Sequence, residues 1–229
     1  MKLAVVSDVH GNLEAFKAVL ADAEALGVDK IVSLGDLACG PNAYECVDLA
    51  LEQRDKGKLG ACLLGNGDVL DTSQFNLPDE AVYWSRERRE AALTPQEAKR
   101  WNFLGEAPRV WQEGQFLFVH GSPRNPRDEY VYGDDAFDAD KMSALFDATP
   151  RYCFQGHTHV PGVFVEETNK TYSYYSAAEL EGGVFPLDER KLMVNVGAVG
   201  DSREPSCYVV VYYEESGVDD KIEFRYPAS

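Results

Sequence analysis

Apolar positions in the first third of the chain alternate between two rhythms. Residues 2–7 (KLAVVS) form a short unbroken apolar run, the pattern of a buried strand. Leu13, Phe16, Val19, Leu20, Ala23 and Leu26 then recur at helical spacing and stop at Gly27, so a helix is predicted over 12–26. A second apolar run at 30–34 (KIVSL), a shorter helix at about 43–54 and a third run at 61–65 (ACLLG) repeat the scheme. Strands alternating with helices predict a partly parallel sheet with right-handed crossovers.

The rhythm breaks over about 69–110, a polar and mainly helical stretch read as an insertion beside the sheet. Within it, Thr94-Pro95-Gln96-Glu97 is a helix start, with Thr94 as N-cap, Pro95 in the first turn and Glu97 reaching back. The run Arg86-Glu87-Arg88-Arg89-Glu90 reads as a solvated helix face. Strands return at 115–120 and 151–156 with a helix at 139–147 between them, and from residue 160 onward the pattern is mostly β. One domain with two packed sheets over residues 1–229 is the simplest arrangement.

Four apolar strands end abruptly in residues that ligate metals: VVSDVH with Asp8 and His10, VSLGD with Asp36, LLGN with Asn66, and FLFVH with His120. A fifth segment, CFQGHTH, brings His157 and His159. Sites in α/β sheets form at the carboxyl ends of strands, so five such ends predict convergence on one point. The chain has four histidines in all, and each stands at one of these ends. The set mixes nitrogen and oxygen donors and needs no thiolate. That suits Mn²⁺, Fe, Zn²⁺, Co²⁺ or Ni²⁺ better than Mg²⁺ or Ca²⁺. Seven ligands exceed what one tetrahedral ion takes; they match two ions about 3.5–4 Å apart that share a carboxylate. Such a pair activates a bridging hydroxide for attack on a phosphate ester.

The net charge of −17 argues against non-specific nucleic-acid binding and against anionic membranes, both of which require cationic surfaces. Two divalent ions would reverse that field locally and admit an anionic substrate. No run approaches the roughly 18 apolar residues of a membrane span, and Asp8 and His10 interrupt the N-terminal run before it resembles a signal peptide. Five cysteines, widely spaced and without a CxxC, predict small buried hydrophobes in a reduced, cytoplasmic setting.

Read in order, Asp8-Val9-His10, Gly35-Asp36, Gly65-Asn66-Gly67-Asp68, His120 and Gly156-His157-Thr158-His159 resemble the D-x-H, G-D, G-N-H-D/E, H and G-H-x-H motifs of the calcineurin-like metallophosphoesterases. Residues 195–200 (NVGAVG) followed by Arg203 look like a segment of that family's small prokaryotic phosphodiesterase branch. The resemblance implies a four-layer α/β/β/α sandwich of two mixed sheets. It implies Asp8, His10 and His159 on one metal, Asn66, His120 and His157 on the other, and Asp36 between them. Mn²⁺ is the favoured ion, and Asp36, Asn66 and His120 act on the substrate through the metals.

One position departs from the pattern. Gly67 stands where the family carries a histidine that contacts the phosphate and helps protonate the leaving group. The expected activity is hydrolysis of a phosphodiester or phosphomonoester. The alternative is a catalytically weakened, metal- and phosphate-binding regulatory protein. Without that histidine, Asp68 reads as a turn or capping residue. In the loop after His120, Arg124 and Arg127 are candidate phosphate clamps. The loop at Cys39 is placed to line the pocket, and Glu129, Tyr130 and Tyr132 either shape its rim or pack. Tyr172, Tyr174 and Tyr175 read as strand packing, and the β-rich C-terminal half offers an edge for a second copy of the chain.

Overall fold

In a computed structural model, residues 1–70, 94–200, 205–214 and 220–227 are described, without the side chains of Val69 and Leu70. The charged run at 86–90 and Arg203 lie outside the described residues, as does most of the expected insertion.

Among the described residues twelve strands form two six-stranded sheets. The first has the order β3-β2-β1-β11-β12-β9 and is built from β1 (Lys2–Val6), β2 (Lys30–Ser33), β3 (Leu59–Cys62), β9 (Val184–Pro186), β11 (Tyr208–Tyr212) and β12 (Lys221–Arg225). The second has the order β4-β5-β6-β10-β7-β8, from β4 (Val110–Glu113), β5 (Phe116–Val119), β6 (Tyr152–Gln155), β7 (Gly162–Glu166), β8 (Tyr172–Ser176) and β10 (Leu192–Asn195). Strands β1, β2 and β3 run parallel, as do β5, β6 and β10, and the remaining pairs are antiparallel. Each sheet is therefore mixed.

Three of the described helices begin where polar side chains satisfy free N–H groups. Asn12 caps α1 (Leu13–Ala25) by accepting the Ala15 N–H at 3.2 Å, and Gly27 ends it with φ 67°. The expected capping box at Thr94 and Glu97 opens α4 (Pro95–Gly105). Asp138 caps α5 (Ala139–Asp147) by accepting the Lys141 N–H. Helix α2 (Ala43–Asp55) and a single turn, α3 (Gly67–Leu70), complete the described set.

Three apolar clusters define four layers. Val5, Val32, Phe118, Phe154, Val194 and Val209 fill the space between the sheets. Phe16, Val19, Val47 and Leu51 of α1 and α2 pack on the outer face of the first sheet, against Ala4, Val6 and Val210. Met142, Leu145 and Phe146 of α5 cover the outer face of the second, against Leu117, Val119 and Met193. The expected α/β/β/α order is the observed one.

One strand was not expected from the pattern, and another, inside the β-rich half, is too short to show one. Strand β4 pairs with β5 through a two-residue turn, Gly114-Gln115, with Gly114 at φ 57°. It lies on a sheet edge with three of its four residues exposed, so it lacks the apolar run that marks its neighbours. Strand β9 is a three-residue edge ending in Pro186. None of the five cysteines is in a disulfide, and burial pushes the thiols of Cys46, Cys62 and Cys207 up to about 12. Among the described residues no helix is long and apolar enough to cross a membrane.

Candidate metal centre

All seven candidate ligands lie just past strand ends: Asp8 and His10 after β1, Asp36 after β2, Asn66 after β3, His120 after β5, and His157 and His159 after β6. Both sheets contribute, so the site straddles the seam between them. The loops are stitched together through the backbone. Asp8 N–H donates to the Gly35 carbonyl at 3.1 Å and His10 N–H to the Asp36 carbonyl at 2.9 Å. Across the seam, the His157 N–H donates to Asp8 Oδ2 at 2.9 Å. Gly156 permits that crossing, because a Cβ there would lie 2.1 Å from Ser7 Oγ.

The ligand atoms form two clusters. In the first, His159 Nε2 is 3.1 Å from His10 Nε2 and 3.3 Å from Asp8 Oδ1. His10 Nε2 is also 3.5 Å from Asp8 Oδ1 and 3.7 Å from Asp36 Oδ2. In the second, His120 Nε2 is 2.9 Å from Asn66 Oδ1, 3.1 Å from His157 Nδ1 and 3.6 Å from Asp36 Oδ1. Ligands about 2.1 Å from one ion, at octahedral or tetrahedral angles, stand roughly 3.0–3.4 Å apart. Four of the observed separations, 2.9–3.3 Å, match that shell, and the other three, 3.5–3.7 Å and all to a carboxylate oxygen, lie slightly beyond it. The two carboxylate oxygens of Asp36 face different clusters.

The surroundings suit a cation. Asp8 is fully buried, and its charged Oδ1 faces the imidazole edges of His159 at 3.3 Å and His10 at 3.5 Å. Burial would raise the Asp8 carboxyl, but hydrogen bonding to His10 and His159 and the neighbouring imidazoles hold it far below the usual carboxylate range. Burial likewise opposes protonation of His10, yet Asp8 and Asp36 together draw its pKa above 6.5. For His157, burial and then the neighbouring His120 lower the pKa, which keeps the ring neutral as a ligand requires. Asp8, His120 and Asp36 form a closed floor, while the side chains of His10 and His159 are 31% and 20% exposed and form the mouth.

Five of the seven candidate ligands have left-handed backbones: Asp8 (φ 54°), His10 (φ 47°), Asp36 (φ 52°), His157 (φ 67°) and His159 (φ 63°). Among the described residues only two other non-glycine residues share this feature, Asn169 and Lys170. Left-handed backbone is costly for residues with a Cβ, and its concentration here marks a geometry imposed for function.

Several supporting residues act through the backbone in ways that their sequence motifs did not show. Asp68, expected as a turn or capping residue, is a clasp. Its carboxylate accepts the N–H groups of Asp36 (2.8 Å), Ala38 (2.6 Å) and Gly65 (2.9 Å). Burial and then the charge of Asp36 push its pKa up, while the Ala38 and Gly65 donors pull it down. Asn195 fastens the histidine loop by donating to the Gly156 carbonyl and to Thr158 Oγ1, each at 2.7 Å. The following Val199 and Gly200 N–H groups bind the Ser7 and Asp8 carbonyls, so the 195–200 segment braces the first ligand loop.

Cys39 Sγ lies 3.0 Å from His10 Nδ1, on the ring edge away from the first cluster. It also lies 2.9 Å from where a Cβ on Gly67 would be. The two candidate phosphate clamps are engaged elsewhere. Arg124 forks onto Glu129, which Ser122 also bonds, and Arg127 binds Asp128. Tyr130 does not simply pack: its ring lies flat on His157, with centroids 3.7 Å apart.

Comparison with known proteins agrees with this geometry. An uncharacterised protein of Methanocaldococcus jannaschii is 31% identical over 214 residues, covering 88% of this chain and 77% of that protein. The crystal structure of a metallophosphoesterase from Sphaerobacter thermophilus superposes with a TM-score of 0.71 at 29% identity, covering 100% of this chain and 89% of that one. A hypothetical protein of Pyrococcus horikoshii shares the fold, with a TM-score of 0.63 at 14% identity over 99% of this chain and 87% of its own. Residues 1–216 match the calcineurin-like phosphoesterase superfamily domain. That span takes in every ligand loop described above, and the chain belongs to the calcineurin-like phosphoesterase superfamily, as a metal-dependent hydrolase of phosphate esters.

Proposed function

We propose that the chain is a dinuclear phosphodiesterase. The observation that carries this reading is the divided aim of Asp36, with Oδ2 toward His10 and Oδ1 toward His120. Asp8, His10 and His159 would hold one divalent ion, and Asn66, His120 and His157 the other. Manganese suits the mixed nitrogen and oxygen donors, since Cys39 addresses the far edge of His10. When bound, two such ions neutralise phosphate oxygens and acidify a shared water.

The chain's own residues do the rest. Asp8 and His120 close the floor against bulk solvent, and His10 and His159 border the entrance. Asp68 and Asn195 hold the ligand loops in place. A diester is favoured over a monoester by charge. A diester brings one negative charge to the centre and a monoester about two. The nearby guanidiniums of Arg124 and Arg127 are already matched by Glu129 and Asp128, and would contribute to phosphate binding only on release. With glycine at 67, no side chain there protonates a leaving group, so esters of acidic alcohols are the preferred substrates. A cytoplasmic setting is in keeping with thiols kept out of disulfides.

The test is a titration coupled to an assay. The chain should take up two equivalents of Mn²⁺ and then hydrolyse bis(4-nitrophenyl) phosphate, and Asp36→Ala should remove both properties. A loaded protein that turns over no mono- or diester would leave the regulatory alternative in its place.

A further inference from the structure

Beside the second ligand cluster the chain builds an aromatic ladder that the metal chemistry does not require. Tyr130 lies on the ring of His157 with centroids 3.7 Å apart and planes 18° from parallel. Tyr132 lies over Tyr130 with centroids 5.7 Å apart and planes 6° from parallel. Both rings stay open to solvent, at 45% and 49% exposure. Large aromatic side chains left half-exposed at a cleft commonly mark a recognition surface.

The ladder is held rigidly. Val131 between the two tyrosines is buried in the core under α5, so the rings on either side both turn outward. The Tyr130 carbonyl accepts from Lys141 Nζ at 3.0 Å, and Asp135 accepts the Tyr132 N–H at 2.8 Å. Lys141 and Asp135 are themselves ion-paired at 2.7 Å. A platform fixed before binding loses little entropy when a ring settles on it.

Resting on the phosphodiesterase reading, we propose that Tyr130 and Tyr132 form a stacking platform for a flat aromatic or heterocyclic group on the substrate, an aryl or nucleoside phosphodiester. The ladder starts at a candidate metal ligand, so a ring stacked on it is carried by the same molecule whose phosphate sits at the metals. The ligand is small. A polynucleotide needs a cationic track, and here Arg124, Arg127 and Lys141 are each matched by a carboxylate.

Three diesters that share 4-nitrophenolate as leaving group test the idea: thymidine 5′-(4-nitrophenyl phosphate), phenyl 4-nitrophenyl phosphate and methyl 4-nitrophenyl phosphate. With Mn²⁺-loaded protein, kcat/KM for a ring-bearing ester should exceed that for the methyl ester about tenfold or more. Whichever ring-bearing ester is faster identifies a nucleobase or a simple aryl group as the preferred occupant. Tyr132→Leu should collapse that preference, and Tyr132→Phe should keep it. No preference in the unmodified chain, or equal losses on all three esters, would overturn the platform. If no ester is hydrolysed, the phosphodiesterase reading falls, and the platform is decided by binding alone. The fluorescence of 2-aminopurine riboside 5′-phosphate should then be quenched on binding, and Tyr132→Leu should weaken that binding about tenfold. Absence of quenching would overturn it.

Discussion

The carboxylate of Asp68 receives the backbone N–H of Asp36 at 2.8 Å, and through the same group it gathers Ala38 and Gly65. The residue that faces both ligand clusters is thus held by its main chain, and its inward-pointing Oδ1 also accepts the Gly67 N–H at 2.7 Å. A hydrogen bond to a charged acceptor contributes about 1.5–3 kcal/mol, and loss of the acceptor strands buried donors. Asp68→Ala should therefore lower stability by roughly 2 kcal/mol or more, a fall in Tm of about 4–8 °C. It should also weaken metal binding, because the Asp36 loop loses its clasp. Calorimetric unfolding checks the first effect, and an unchanged Tm would dismiss the clasp.

The divided aim of Asp36 makes metal stoichiometry diagnostic. His10→Ala should retain one equivalent of Mn²⁺ and His120→Ala the other, whereas Asp36→Ala should weaken both by more than about a hundredfold. Elemental analysis after gel filtration measures each case. Two tightly held ions in the Asp36 variant would break the dinuclear reading.

Protons compete for the first cluster. Burial works against a charged His10, but Asp8 and Asp36 overcome it and raise the pKa above 6.5. A raised pKa means the ring is still partly protonated somewhat above pH 6.5, and the proton must leave before an ion binds. Apparent Mn²⁺ affinity should rise from pH 6 to pH 8 with proton release on binding. His157 is shifted the other way and has no proton to give at neutral pH. Isothermal titration in buffers of different ionisation heat reads the released protons; an affinity flat across that range would contradict the assignment.

Gly67 can be tested by restoring the family's histidine, but Cys39 stands in the way. A Cβ on residue 67 would lie 2.9 Å from Cys39 Sγ and 3.1 Å from the Asp36 carboxylate. The Gly67 φ is not left-handed, so the obstacle is space. Gly67→His alone should gain little, while Gly67→His with Cys39→Ala should speed cleavage of an ester with a poor leaving group by about 10²–10⁴-fold. The comparison requires kcat/KM for both variants on one substrate, and a single variant as fast as the double would remove Cys39 from the account.

Much of this site was readable because each ligand follows an apolar run. A strand buried on both faces announces itself in sequence, and what comes directly after it is placed by the sheet. The same rule explains what was missed. Strands β4 and β9 are short sheet edges without that signature. The pairing of Arg124 with Glu129 and the seating of Tyr130 on His157 are through-space choices, made by loops whose spacing carries no period. The clasps of Asp68 and Asn195 likewise depend on backbone groups brought near by the fold, which no side-chain pattern records.

The left-handed ligands carry a last implication. Glycine would sit in those five conformations with less strain, and elsewhere in a chain selection for robustness favours such relief. Asp8, His10, Asp36, His157 and His159 place side chains in those conformations instead, so the ligand set itself carries the backbone strain. Glycine at His10 or His159, the two at the mouth, would ease the backbone and blunt the chemistry in the same stroke.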